Sequence, residues 1–263
     1  MRKYSTPLFL YMAVLVACLA SCGDKGSQID FDTVNVERKV ALTKDADSPQ
    51  CSVKMSIAYA KDSNGKVAKT INNAIQQKLF YAQGMTVKQA AEMFADKYTA
   101  EYVKSLAPLY REDRADTAKH AWYRYTYNVN TETRQGRDGV TLYIINLDYY
   151  EGGAHGVSQQ TTINFDTKTG KAMTLADVFV PGYKARLNEA LLKALEDKVG
   201  AKDVKELHDN DYLYSMDMFA PENFLLGDDG ITFIYNIYEI APYSKGKTEL
   251  TLDYSDINDL LKK

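Results

Sequence analysis

The chain has 263 residues, 45% of them hydrophobic and 25% charged, enough to fill a core in one large domain or two small ones and a composition that excludes a disordered or fibrous protein. The formal net charge is -3; without residues 1–21, which hold Arg2 and Lys3 and no acids, 30 of the 32 bases remain against 35 acids. Such a surface gives phosphates no general attraction, so no nucleic acid partner is expected, whereas a cationic partner would suit it.

The N-terminus reads as an export signal. Basic Arg2 and Lys3 precede an apolar run over 7–20 that falls short of the roughly 20 residues needed to span a bilayer, and polar sequence follows at once. Leu19-Ala20-Ser21-Cys22 resembles the bacterial lipobox, which implies removal of residues 1–21 and attachment of lipid (palmitate) at Cys22. Cutting by the ordinary peptidase would instead leave Cys22 a free thiol. With Cys18 removed and Cys22 acylated, Cys51 stands alone, and no intrachain disulfide is available. Residues 22–34 read as a tether holding an extracytoplasmic body at the cell envelope, on the outer membrane where the cell has one.

Residues 34–42 and 53–59 alternate β-branched and polar residues around a turn-rich 45–49 and predict a strand pair, with Cys51 packing as a small hydrophobe. A helix opens near Asn64-Gly65 with Val67, Ile71, Ile75 and Leu79 on one face. Thr86 to Gln89 matches a capping box and starts a second helix, expected to end before Pro108. Period-two patterns then predict strands over 121–130, 141–149 and 157–165, an antiparallel meander. Thr174-Leu175-Ala176-Asp177 caps a short helical turn, and 183–199 is amphipathic. Residues 202–218 read as irregular, 231–240 as an interior strand, 248–254 as another, and Ser255 as the cap of a last helix. The expected fold class is α+β: antiparallel sheets with helices packed on one face, in two closely packed halves, 35–135 and 136–263.

Between the second and third strands of the meander stands Tyr149-Tyr150-Glu151-Gly152-Gly153-Ala154-His155-Gly156. Its three glycines permit backbone angles and close approaches that side chains would forbid. His155 has three readings: a ring that bonds the backbone of the corner, a contact for a partner, or a catalytic or metal-binding group. Catalysis would also need a nucleophile or second acid beside it, and no G-x-S-x-G or H-E-x-x-H motif is present. Gly246-Lys247-Thr248 imitates the end of a phosphate loop, but Ala241 stands where its first glycine belongs and a strand follows where it needs a helix. Asp166 to Gly170 reads as a hairpin turn and His208 to Asp211 as a solvated loop; no metal or cofactor is expected. Among the 20 tyrosines most fall at core positions, leaving Tyr149, Tyr150 and Tyr243, beside turns, free to meet a ligand.

Two blocks carry a resemblance. Residues 149–156, Asn164-Phe165-Asp166-Thr167-Lys168-Thr169-Gly170 and Leu175-Ala176-Asp177-Val178-Phe179, followed by Ile237-Tyr238-Glu239-Ile240-Ala241-Pro242-Tyr243-Ser244-Lys245-Gly246, resemble the extracytoplasmic domain of RsiV-type anti-sigma factors. A similar domain forms the non-catalytic N-terminal part of PdaC-type peptidoglycan deacetylases. The resemblance implies an α+β fold and, for RsiV-type members, binding of lysozyme as a signal. The chain is expected to carry neither a sigma-binding region nor a deacetylase domain. These features lead to a non-enzymatic envelope lipoprotein that recognises a lysozyme-like muramidase through Tyr150, Glu151, Gly152, Gly153, His155, Gly156, Pro242 and Tyr243. A binder of peptidoglycan or other cell-wall glycan, and an envelope hydrolase using His155, are the alternatives.

Overall fold

The computed structural model describes residues 29–263. The segment read as an export signal and Cys22, the expected site of lipid attachment, lie outside them. The elements in order are β1 (Phe31–Ala41), β2 (Gln50–Ala60), α1 (Gly65–Phe80), α2 (Val87–Asp113), β3 (Tyr125–Gln135), β4 (Val140–Glu151), β5 (Val157–Asp166), β6 (Ala172–Met173), α3 (Leu175–Val178), α4 (Lys184–Val199), α5 (Val204–Asp209), β7 (Phe224–Leu226), β8 (Gly230–Tyr235) and β9 (Thr248–Asp253). They form a six-stranded sheet in the order β1-β2-β3-β4-β5-β6 and a three-stranded sheet β7-β8-β9. The fold is α+β, as the patterns predicted.

One join in the large sheet departs from the antiparallel expectation. β2 and β3 run parallel, Cys51 beside Tyr125 and Met55 beside Val129. A parallel neighbour requires a crossover of a dozen residues or more, and α1 with α2 supplies it. The strand patterns carry no sign of direction, so this could not be read from them.

The crossover also builds the first core. Ala68, Ile71 and Ile75 of α1 and Ala90, Ala91 and Ala95 of α2 are all but solvent-free, and the alanines let α2 lie close on β1 and β2. Beneath them sit Val53, Met55, Val129, Tyr143, Ile145 and Phe165. Cys51 belongs here, fully buried, and burial first, then the Glu151 charge, pushes its thiol up to about 11. The capping box forms as predicted: Thr86 Oγ1 accepts from Gln89 N at 3.1 Å, and Gln89 Oε1 accepts from Thr86 N at 2.9 Å. α2 continues through Pro108 to Asp113, beyond its expected end. Pro108 is solvent-exposed, so the carbonyl it deprives of a partner can face water.

The second core collects Leu187, Leu191 and Leu195 of α4, Phe224, Phe233 and Leu250 of the small sheet, and Leu207, Leu213 and Ile257 from short connecting pieces. β4 serves both cores: Tyr143 and Ile145 point into the first, Val140 and Leu142 into the second. The expected division at 135 and 136 therefore falls in the β3–β4 turn, inside one sheet. Other boundaries shift as well. β1 begins at Phe31 and Ile29 is buried, so the last residues assigned to the tether belong to the body. Residues 117–123 form a 3-10 turn before β3, β8 stops at Tyr235, α5 occupies part of the stretch read as irregular, and the last helix is only a 3-10 turn at 258–260.

Asparagines join the two sheets. Asn223 Oδ1 accepts from Thr162 N at 2.9 Å while its Nδ2 donates to Gln160 O at 2.8 Å and Ile234 O at 3.1 Å. Asn236 Oδ1 takes the Gln160 N–H at 2.7 Å. Asn164, 2% exposed, donates to Phe224 O and accepts from Leu226 N. Side-chain amides thus occupy edge groups of β5 and β7 that a further strand would otherwise pair.

Candidate functional site

The corner after β4 and the turn before β9 lie side by side. The rings of His155 and Tyr243 stack with centroids 5.0 Å apart and planes 20° from parallel, and both residues are solvent-exposed. Tyr238 extends the group, its ring 6.0 Å from that of Tyr243.

Each glycine of the corner has its own reason. Gly152 has φ +84°, and a Cβ there would lie 2.7 Å from the Trp122 carbonyl oxygen, so both angle and space forbid a side chain. Gly153, at φ +88° in open space, needs only the angle, and a Cβ on Gly156 would lie 3.2 Å from the Tyr149 carbonyl oxygen. Tyr150 Oη donates to Gly153 O at 2.8 Å and closes the turn. A side-chain tie to the backbone of the corner is made by Tyr150, and the His155 imidazole stacks on Tyr243. On the facing turn Pro242 precedes a 3-10 turn, Tyr243–Lys245, and Lys245 N donates to Pro242 O at 3.0 Å.

Glu151 does not join this group. Its carboxylate accepts from Tyr98 Oη of α2 at 2.6 Å. Burial first, and then this bond, raises the Tyr98 hydroxyl pKa. Glu151 therefore anchors the end of β4 to α2, and the remaining loop residues named from sequence make up the paired bends. Tyr149 likewise faces the aromatic row beneath α2, its ring 6.3 Å from that of Tyr127.

Sequence reasoning missed Tyr238. It is 67% exposed with φ +68°, a left-handed conformation that disfavours a tyrosine by about 1–2 kcal/mol. Reading 231–240 as a continuous strand hid it, because that reading gives Tyr238 an ordinary strand angle. The turn is held by Tyr238 N donating to Ala241 O at 3.1 Å and Asn236 N donating to Glu239 Oε2 at 2.7 Å.

Between the bends and the helix-free face of β4 and β5 opens a cavity of about 440 Å³ lined by Asn146, Asp148, Gln160, Ile237, Tyr243 and Lys247 among others. Lys247 Nζ donates to Gln160 Oε1 and Gln160 Nε2 to Asn146 Oδ1, each at 2.8 Å. Ser158 Oγ donates to Asp148 Oδ1. With its proton directed to a carboxylate, Ser158 is not set up as a nucleophile served by an imidazole. Among the described residues no group of three or more His, Cys, Asp or Glu gathers to hold a metal ion. The arrangement offers two exposed aromatic side chains, a flanking imidazole and a hollow of amides with one acid and one lysine: features for contact.

Comparison with known proteins places this geometry. A curated relative, the peptidoglycan-N-acetylmuramic acid deacetylase PdaC of Bacillus subtilis (strain 168), is 25% identical over 198 residues, 74% of this chain. The chain spans 40% of that protein's length. A crystal structure of a DUF3298 family member from Bacteroides fragilis NCTC 9343 superposes with a TM-score of 0.84 at 29% identity, covering 91% of this chain and 96% of the other. A DUF3298 family protein from Pseudomonas aeruginosa PAO1 shares the fold, with a TM-score of 0.60 at 18% identity over 90% of this chain and 96% of that one. Residues 176–255, which hold the Tyr238–Tyr243 bend but not the His155 corner, match DUF3298, a protein family of unknown function, and the fold around them is that of a solved DUF3298 structure.

Proposed function

We propose that the protein is a non-enzymatic, lipid-anchored binding module of the bacterial cell envelope that captures a lysozyme-like muramidase through its two paired bends. The observation that carries this reading is the His155–Tyr243 stack, which ties residues from distant parts of the chain into one exposed aromatic surface. Exposed tyrosines at a junction, set on a chain with more acids than bases, suit a cationic protein partner. The likeness to RsiV-type domains at these same two blocks supports the choice of partner. PdaC, whose name places its chemistry on peptidoglycan, supports the envelope setting. The lipobox-like Cys22 supports the anchor.

Calorimetric titration of C-type lysozyme into the purified chain tests the proposal. Binding at micromolar protein and low salt is expected, with His155→Ala and Tyr243→Ala each weakening it about tenfold or more while circular dichroism stays unchanged. Absence of heat under these conditions would defeat the proposal, as would full affinity in both variants.

A further inference from the structure

The hollow beside the paired bends holds a charge that the fold does not answer. Asp148 is the one acid lining it. Strand pairing sets this residue between Asn128 of β3 and Ser158 of β5, both short side chains, and Asp148 is solvent-exposed. Ser158 Oγ donates to its Oδ1. Among the described residues nothing donates to Oδ2, and no lysine or arginine pairs with the carboxylate.

Two cations that could have served are matched elsewhere. Lys247, the one base lining the hollow, gives its ammonium to Glu249 and to Gln160 Oε1. Lys54 follows Asn128 in the same row across the sheet, two strands and about 10 Å from Asp148, and it pairs with Glu37 at 3.6 Å. The neighbouring amides are matched as well: Gln160 Nε2 donates to Asn146 Oδ1, and Asn146 Nδ2 donates to Glu132 Oε1 at 3.4 Å. One negative charge therefore remains without a partner. The bend adds apolar surface beside it, Ile237 and the ring of Tyr243, on which His155 stacks.

We propose that this hollow receives an arginine side chain of the protein partner. The proposal rests on the reading of the paired bends as a protein-binding surface and names the contact that fixes the partner there. The guanidinium would donate to the Asp148 carboxylate while its aliphatic stem lies along Ile237 and Tyr243. Arginine fits this place better than lysine, because its planar fork matches a carboxylate and its head is more weakly hydrated than an ammonium. At about 440 Å³ the hollow stands at the small end of ligand sites, room for one side chain rather than a polymer. In the free protein water screens Asp148; a whole partner seated on the bends would exclude that water and strengthen the pair.

Nuclear magnetic resonance titration of the labelled chain tests the proposal with a probe that contains only the arginine. Nα-acetylargininamide is compared with Nα-acetylcitrullinamide, which has nearly the same shape without the charge. Saturable shifts at Asp148, Ser158 and Gly246 are expected, with the citrulline compound binding about fivefold more weakly. Asp148→Asn, a neutral replacement of nearly equal size at an exposed position, should abolish that preference while circular dichroism stays unchanged, and 1 M salt should abolish it in the unaltered protein. Equal binding of the two probes, shifts spread over acids elsewhere on the surface, or a preference kept by Asp148→Asn would overturn the proposal. The outcome is separable from that with lysozyme. Probe binding without lysozyme binding would uphold the hollow and defeat only the partner named above; lysozyme bound with undiminished affinity by Asp148→Asn would overturn the arginine contact and leave the paired bends standing.

Discussion

The first core rests on long elements and the second on short ones. α1 and α2 have 16 and 27 residues, and the strands β1 to β4 have 11 or 12. In the second body only α4 is long; α3 has 4 residues, α5 has 6 and β7 has 3. A long helix holds much of its structure through its own periodic face and cap, whereas a piece of three to six residues exists because something else holds it in place. The asparagines do that holding: Asn223, Asn236 and Asn164 turn side-chain amides into substitutes for strand pairing between the sheets. The exposed bends of the candidate site sit at this junction, Tyr238 following Asn236 by two residues.

If the comparison is right, the second body is the easier to break. Phe233→Ala, at a fully buried position of β8, should cost about 3–5 kcal/mol in urea unfolding, the usual range for a core phenylalanine. Asn223→Ala should cost about 2–3 kcal/mol, because it leaves the amide of Thr162 and the carbonyl of Ile234 without their side-chain partner, while the Gln160 carbonyl keeps only the Asn236 amide. Hydrogen exchange should show β7–β9 opening before β1–β4 in that variant; simultaneous opening would mean that the two cores are one cooperative unit.

The smallest effect sharpens the contrast at a helix cap. Hydrogen bonds from the Thr174 backbone, then its side chain, hold the Asp177 carboxyl below its ordinary 3.8. A carboxylate with a lowered folded pKa contributes stability above the unfolded value that is lost as the pH falls through the folded one. Stability should therefore decline as the pH drops below about 4, and Asp177→Asn should be less stable at neutral pH by about 0.5–1 kcal/mol with a shallower acid limb. Superimposable acid titrations of the two proteins would remove Asp177 from the account.

How much was legible follows the same division. The Thr86–Gln89 and Thr174–Asp177 boxes, the Ile71–Ile75 face and the strand pair around Cys51 were readable because each is set by residues within a few positions of one another. The end of α2 was misread because Pro108 sits on the exposed side of the helix, where the carbonyl it frees can face water, and buried Ala107 and Tyr110 beside it hold the helix on the body. Leu207 and Leu213 were lost in polar surroundings, since single leucines with no periodic neighbours give no local signal; only the second core shows what they pack against. At the candidate site, residues 149–156 declared a corner through their glycines, and Pro242 and Gly246 declared a turn. The left-handed backbone of Tyr238 and the turning of Glu151 toward Tyr98 had no counterpart in local pattern.

By itself the sequence determined the kinds of element, where most of them begin, and the presence of two bends rich in glycine, proline and aromatic residues, because caps, periodicity and turn residues act over a few positions. Tertiary structure alone decided that β2 and β3 run parallel, that asparagines from one body bond the strand edge of the other, and that His155 meets Tyr243, 88 positions further along the chain. Those outcomes depend on which surfaces must be buried and which backbone groups must find partners once the whole chain is compact, and no short stretch of residues carries that information.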